Sequence, residues 1–199
     1  MIRGWLHEPN EPTGQGLVLT HGAGSNCESA LLVAVAEEFT NVGFHVLRCD
    51  LAYRQKRPTG PPMKGDPELD REALREAAAF MRGLASTVLL GGHSYGGRQS
   101  TMLAADQPGT ANALLLLSYP LHPLRKPDEL RTAHFGQLTT PSLFIHGARD
   151  PFGSIAEMET ALESIAGRHT LMPFEKTGHE LKPELAPVIL RETLAFLKV

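Results

Sequence analysis

The sequence predicts an α/β domain in which a mostly parallel sheet is covered by helices on both faces. Short, unbroken apolar runs of strand length recur along the chain, and longer segments with helical periodicity separate them. Strands of a parallel sheet are buried on both faces and therefore read as continuous apolar runs, while the crossover helices cover those faces. With 199 residues, we expect one domain over 1–199 with about seven strands.

The apolar runs define the strands. The first long run, GLVLTHG, stops at a glycine, which is typical of a strand that ends in a turn. The predicted strands are an edge strand at IRGWL near the start, then 16–22, 44–50, 87–92, 112–120, 141–147 and 169–175. Ligands of such sheets bind beyond the carboxyl ends of the strands, so catalytic residues are expected directly after them.

Helical periodicity and end signals define the helices. The segment 28–43 ends at Asn41 and Gly43, and 67–85 opens with proline and acidic residues. Two further helices are predicted at about 95–105, after the glycine-rich turn, and at about 185–198.

Composition excludes several classes of protein. A net charge of −3 disfavours nucleic acid as a partner, and two cysteines do not make a disulfide framework. The N-terminal residues lack the apolar core of a signal peptide, and no apolar run reaches the length of a membrane span. We therefore expect a cytoplasmic monomer or homodimer that acts on a small molecule.

A serine in a glycine-rich turn is the strongest chemical signal. Gly92, His93, Ser94, Tyr95 and Gly96 match G-x-S-x-G between a predicted strand and a predicted helix, which is the setting of a nucleophile elbow. Since such short patterns recur by chance, a glycine-rich turn without chemistry is the alternative.

Two further residues complete a triad in the order serine, acid, histidine. Asp150 follows the strand 141–147, and His179 follows the strand 169–175. In the alternative interpretation Asp150 is a cap or turn residue and His179 a surface histidine. Asp128 is the rival acid.

Two backbone N–H groups are candidates for an oxyanion hole. The Tyr95 N–H lies at the start of the helix after Ser94, and the Ala23 N–H lies in the loop HGAGSN after the first long strand. A phosphate-binding loop is the alternative, but no G-x-x-x-x-G-K-[ST] motif is present.

The motifs LTHGAG, GGHSYGG, HGARDPFG and TGHE resemble those of the α/β-hydrolase superfamily over nearly the whole chain. The segment RCDLAYRQKRP is similar to a dienelactone-hydrolase-like branch that includes a testis-expressed protein and the third subunit of the non-specific-lethal complex. This resemblance implies the α/β-hydrolase fold, a Ser94–Asp150–His179 triad, and oxyanion donors at Ala23 and Tyr95. Dienelactone hydrolases proper have cysteine where this chain has Ser94.

Only residues 119–140 separate the strands that in many relatives flank a helical lid, so we expect no cap domain and an open site. The leading hypothesis is a serine hydrolase of small esters or thioesters without a cofactor. A non-catalytic binding or scaffold protein on the same fold is the alternative, and acyl transfer or perhydrolysis would use the same triad.

Several residues outside the proposed triad also carry expectations. Arg54 and Arg57, in the segment 53–62, are expected either in a solvated loop or against an anionic group of the substrate. Nine histidines invite a metal hypothesis, but there is no H-E-x-x-H motif, so no metal site is predicted. Asp50 is expected to be structural, and His93 to pack.

Overall fold

A computed structural model describes residues 2–198 and contains one sheet of seven strands. The order across the sheet is β1-β3-β2-β4-β5-β6-β7; β1 runs antiparallel to β3 and every other pair is parallel. The strands are β1 (Gly4–His7), β2 (Gln15–Thr20), β3 (Phe44–Cys49), β4 (Thr87–His93), β5 (Ala113–Leu117), β6 (Ser142–Gly147) and β7 (His169–Phe174). The predicted α/β-hydrolase fold is confirmed.

Helices cover both faces of the sheet. They are α1 (Ala30–Asn41), α2 (Ala52–Lys56), α3 (Asp66–Arg82), α4 (Tyr95–Asp106), α5 (Ile155–Leu162) and α6 (Ala186–Leu197), with 3₁₀ turns at Phe135–Gln137 and Pro183–Leu185. One buried cluster lies under α3, α4 and α5, and a second lies under α1 and α6. Within residues 2–198, none of the helices is both long and apolar enough to cross a bilayer.

Two helices differ from the sequence predictions. The segment that begins at Tyr53 was expected to be a loop, but α2 starts at Ala52 and buries both Tyr53 and Arg54. Helix α5 was not predicted, although Ser154 and Glu157 form a capping box at its start. Its eight residues are too few for a clear apolar period, which explains the omission.

The segment between β5 and β6 decides how open the site is. In the described chain, residues 118–141 contain one 3₁₀ turn and no cap domain, as predicted. Buried Tyr119, Leu121 and Phe135 fix this segment to the sheet. The carboxyl edge of the sheet is therefore left without a helical lid.

Candidate active site

Four loops at the carboxyl edge of the sheet bring the predicted residues together. Ala23 follows β2, Ser94 follows β4, Asp150 follows β6 and His179 follows β7. Because these strands are parallel, their carboxyl ends lie at the same edge, and side chains far apart in sequence converge there.

Ser94 has the backbone strain of a nucleophile elbow. Its φ of 51° and ψ of −114° lie outside the regions that ordinary residues favour. The Ser94 N–H donates to the Leu117 carbonyl over 2.8 Å, which fixes the turn to β5. A Cβ atom at Gly92 would lie 2.9 Å from the carbonyl carbon of Gly96, and one at Gly96 would lie 2.8 Å from the His21 carbonyl oxygen. Glycine is therefore required at both positions.

Ser94, His179 and Asp150 form a continuous hydrogen-bonded chain. The Oγ of Ser94 lies 2.8 Å from His179 Nε2, and His179 Nδ1 lies 2.7 Å from Asp150 Oδ2. The Asp150 carboxylate accepts a hydrogen bond from Nδ1–H of His179, which leaves the lone pair of Nε2 facing the serine hydroxyl. This arrangement can remove the proton of Ser94 as the hydroxyl attacks a carbonyl carbon.

The acid and the histidine are each held by neighbours. The other oxygen of Asp150 accepts the Phe152 N–H over 2.9 Å, and the carboxylate is buried. The Phe152 ring packs on the His179 imidazole with 4.4 Å between ring centroids. Sequence reasoning gave Phe152 no role, although RDPFG was one of the motifs used for the family resemblance.

The two candidate oxyanion donors lie on loops next to Ser94, and Ala23 lines the cleft beside it. The N–H groups of Ala23 and Tyr95 donate to no protein group within residues 2–198. The Tyr95 hydroxyl donates to Asp70 Oδ2 over 2.8 Å, and the Tyr53 N–H donates to the other Asp70 oxygen over 3.0 Å. Asp70 therefore fixes α2 and the start of α4 to α3.

The cleft has a volume of about 460 Å³. Its walls include Gly22, Ala23, Ser94, Phe152, His179 and Glu180. The loop of Ala23 and the serine–histidine pair border one space, which is an arrangement that acyl transfer can use.

His93 does more than pack. Its Nε2 lies 2.9 Å from the His179 carbonyl oxygen and donates to it. His93 therefore holds the backbone of the loop that carries His179. Burial is the main cause that lowers the pKa of the His93 imidazole. The imidazole is therefore neutral at neutral pH.

One group of side chains has metal-ligand geometry. Ligand atoms of His93, His179 and Glu180 lie within 4.8 Å of one another. However, His93 Nε2 is engaged with the His179 carbonyl, and both ring nitrogens of His179 are engaged with Asp150 and Ser94. A metal here would have to displace the serine.

Asp50, Arg54 and Arg57 are not among the residues that line the cleft. Asp50 accepts the Cys27 N–H over 2.9 Å, in agreement with a structural role. The prediction that Arg54 contacts substrate is wrong, because its guanidinium is buried and donates to four backbone carbonyls. Arg57 is engaged with Asp66 Oδ2 at 2.5 Å. Nothing in these contacts tests whether Arg57 also reaches a substrate, so that contact stays a prediction.

Residues 13–188 match the family model of the alpha/beta hydrolase domain. The chain belongs to the alpha/beta hydrolase family. Solved structures of similar fold include a dienelactone hydrolase from Anabaena variabilis, which is 25% identical with a TM-score of 0.74. The alignment covers 98% of this chain and 89% of the Anabaena chain.

Two solved structures of lower sequence identity share the fold. Est1E from Butyrivibrio proteoclasticus is 16% identical with a TM-score of 0.78, and the alignment covers 100% of this chain and 95% of that one. An alpha-beta serine hydrolase homologue from Coxiella burnetii is also 16% identical with a TM-score of 0.78, over 96% of this chain and 91% of its own. At these identities the likeness establishes the fold, and the chemistry has to be argued from the site.

Proposed function

We propose that this chain is a serine hydrolase that cleaves a small carboxylic ester or thioester through an acyl-enzyme. The observation that supports it best is the unbroken path from Ser94 Oγ through His179 to Asp150, with separations of 2.8 Å and 2.7 Å. A nucleophile, a base and a group that orients the base are the three parts that serine catalysis needs. Membership of the alpha/beta hydrolase family supports hydrolase chemistry.

The reaction has two halves. In the first, Ser94 Oγ bonds to the carbonyl carbon, its proton passes to His179 Nε2, and the carbonyl oxygen becomes an oxyanion held by the Ala23 and Tyr95 N–H groups. The tetrahedral intermediate collapses as the leaving alcohol or thiol takes the proton from His179. In the second half, water attacks the acyl-enzyme and gives its proton to His179, and the carboxylic acid is released as Ser94 regains its hydrogen.

The class of substrate is also part of the proposal. The open carboxyl edge favours compact acyl groups, since no lid covers a long one. The segment RCDLAYRQKRP supports a place in the dienelactone-hydrolase-like branch, near the testis-expressed and non-specific-lethal subfamily.

A fluorophosphonate probe tests the proposal directly. We expect covalent labelling of the protein, with the modified residue mapped to Ser94 by mass spectrometry. Ser94→Ala should lose both the labelling and the hydrolysis of a short activated ester, with an unchanged circular dichroism spectrum. A folded wild-type protein that neither reacts with the probe nor hydrolyses esters would instead be a non-catalytic binding protein.

A further inference from the structure

A buried arginine lies behind the loop that presents Ala23. We call residues 22–25 the oxyanion loop. Arg54 donates from Nε to the Ser25 carbonyl over 2.7 Å and from Nη2 to the Ala23 carbonyl over 3.0 Å. Its remaining hydrogen bonds, to the carbonyls of Arg57 at 3.1 Å and Gly60 at 3.0 Å, fix the guanidinium to the segment after α2. Only 4% of the Arg54 surface is exposed.

Two aromatic side chains hold the same loop from the same side. The Tyr53 hydroxyl donates to the Ala23 carbonyl over 2.8 Å, and His21 Nδ1 donates to the Gly22 carbonyl over 2.8 Å. The Arg54 guanidinium also lies over the Tyr53 ring, 5.0 Å from its centroid. The carbonyls of Gly22, Ala23 and Ser25 each accept a hydrogen bond from a side chain that does not line the cleft, and the Gly22 carbonyl also accepts the Ser25 N–H over 3.1 Å.

Because the peptide bond is planar, these contacts also constrain the direction of the Ala23 N–H. In a trans peptide the carbonyl of one residue and the N–H of the next point in opposite directions. Because the Gly22 carbonyl is held by His21, the Ala23 N–H points away from His21 Nδ1, and Ala23 itself lines the cleft together with Ser94. The hydrogen bonds to the Ala23 carbonyl also fix the next peptide, so the backbone on both sides of Ala23 is restrained.

We propose that Arg54 is a positioning residue of the oxyanion hole, acting through the Ala23 and Ser25 carbonyls and never touching the substrate. This inference rests on the proposed hydrolase function. Hydrogen bonds from a charged, planar guanidinium are stronger than neutral ones, and two of them reach one short loop. Donors that are fixed before the oxyanion forms cost no reorganisation in the transition state, so the effect of Arg54 should be on kcat.

This role differs measurably from substrate binding. An arginine that contacts a substrate carboxylate would change KM for charged esters and leave neutral esters alone. A positioning residue changes kcat for charged and neutral esters alike, because every substrate develops the same oxyanion.

The test compares Arg54→Met and Arg54→Lys with Lys56→Met, a matched control. Lys56 is an exposed cation at the end of the same helix, so its replacement makes the same change in charge. We expect Arg54→Met to lower kcat for charged and neutral esters by about 10- to 100-fold, somewhat less than the loss of a whole oxyanion donor. KM should change little, Arg54→Lys should be intermediate, and Lys56→Met should match the wild type.

A transition-state analogue adds a readout that a general loss of structure would not give. A trifluoromethyl ketone that forms a tetrahedral oxyanion with Ser94 should bind Arg54→Lys more weakly, in proportion to the loss of kcat/KM. A competitive inhibitor that forms no oxyanion should bind equally well. If Arg54→Met fails to fold, Tyr53→Phe replaces it, since it removes the 2.8 Å bond to the Ala23 carbonyl without a change of charge.

The outcomes separate the two proposals. Wild-type levels of kcat in folded Arg54→Met and Arg54→Lys would overturn the positioning role and leave the hydrolase proposal intact. A rise in KM confined to charged esters would overturn it in favour of direct substrate contact. Failure of the wild type to hydrolyse esters or to react with the fluorophosphonate would overturn both.

Discussion

The Arg149 N–H donates to the Thr177 carbonyl over 2.9 Å and so ties the loop that carries Asp150 to the loop that carries His179. A Cβ atom at Gly147 would lie 2.3 Å from the Gly178 carbonyl oxygen, so the two loops also touch at the end of β6. The acid and the histidine are consequently held at a fixed separation by backbone as well as by their own hydrogen bond. Mutations of either side chain should therefore report on chemistry more than on loop position.

Asp150→Asn should lower kcat by orders of magnitude with little change in fold. Because the Phe152 N–H holds one side-chain oxygen, the amide would turn its NH₂ group towards His179 Nδ1 and leave the imidazole in the wrong tautomer; in serine proteases the same change costs about 10⁴-fold. Steady-state kinetics on a short activated ester would measure it. Asp128→Asn is the control, because Asp128 is exposed. A larger loss in Asp128→Asn than in Asp150→Asn would identify Asp128 as the orienting acid.

Stability should fall in mild acid partly because of His134. Burial, followed by the charge of Arg98, lowers the pKa of His134 from 6.5 to about 4. Between these two pKa values the unfolded chain binds more protons than the folded chain. The free energy of unfolding therefore rises with pH, and the contribution of His134 to stability is lost as pH falls from 6.5 towards 4. With allowance for partial exposure, His134 accounts for about 1–2 kcal/mol of this loss.

Urea denaturation across that pH range measures the effect of His134. His134→Gln keeps a donor within reach of Thr101 Oγ1, which lies 2.8 Å from Nε2, but removes the titration. The variant should show a shallower dependence of stability on pH than the wild type. Equal slopes for the two proteins would contradict this explanation.

Short acyl chains should be preferred. The cleft is open at the carboxyl edge, and methylenes beyond it remain in water, whereas each buried methylene would contribute about 0.8 kcal/mol, or about fourfold in kcat/KM. A series of p-nitrophenyl esters from acetate to dodecanoate should reach a plateau or decline after the first few members. A steady rise along the whole series would mean that an apolar channel accommodates the chain.

Chelators should not affect the hydrolysis. Although His93, His179 and Glu180 are close together, the imidazole of His179 is needed by Ser94 and Asp150. We expect the same kcat/KM with and without excess EDTA, after prolonged incubation. Inactivation that added zinc reverses would show that a metal takes part.

The sequence was sufficient to predict where Ser94, Asp150 and His179 would meet. Each follows an apolar run that could only be a buried strand, and parallel strands end at one edge. The order of the three residues then left few alternatives. The structure brings them together with separations of 2.8 Å and 2.7 Å.

The role of Arg54 could not be predicted in the same way. A run of cations between a strand and a proline-rich segment is usually solvated, and sequence does not reveal which backbone carbonyls are left without donors. The oxyanion loop has such carbonyls because its tight path makes no regular secondary structure. The hydrogen-bond partners of Tyr53 and Asp70 could not be predicted either, because they come from segments that are distant in sequence.

The strain at Ser94 implies that the domain would be more stable with glycine at this position. A residue other than glycine at a φ of 51° costs free energy, and Ser94 occupies that conformation only because the surrounding turn is fixed to β5. Ser94→Gly would relieve this cost while removing the hydroxyl. At this position glycine would favour stability, whereas serine is needed for the proposed reaction. Interactions elsewhere in the domain must therefore offset the free energy that the strained serine costs.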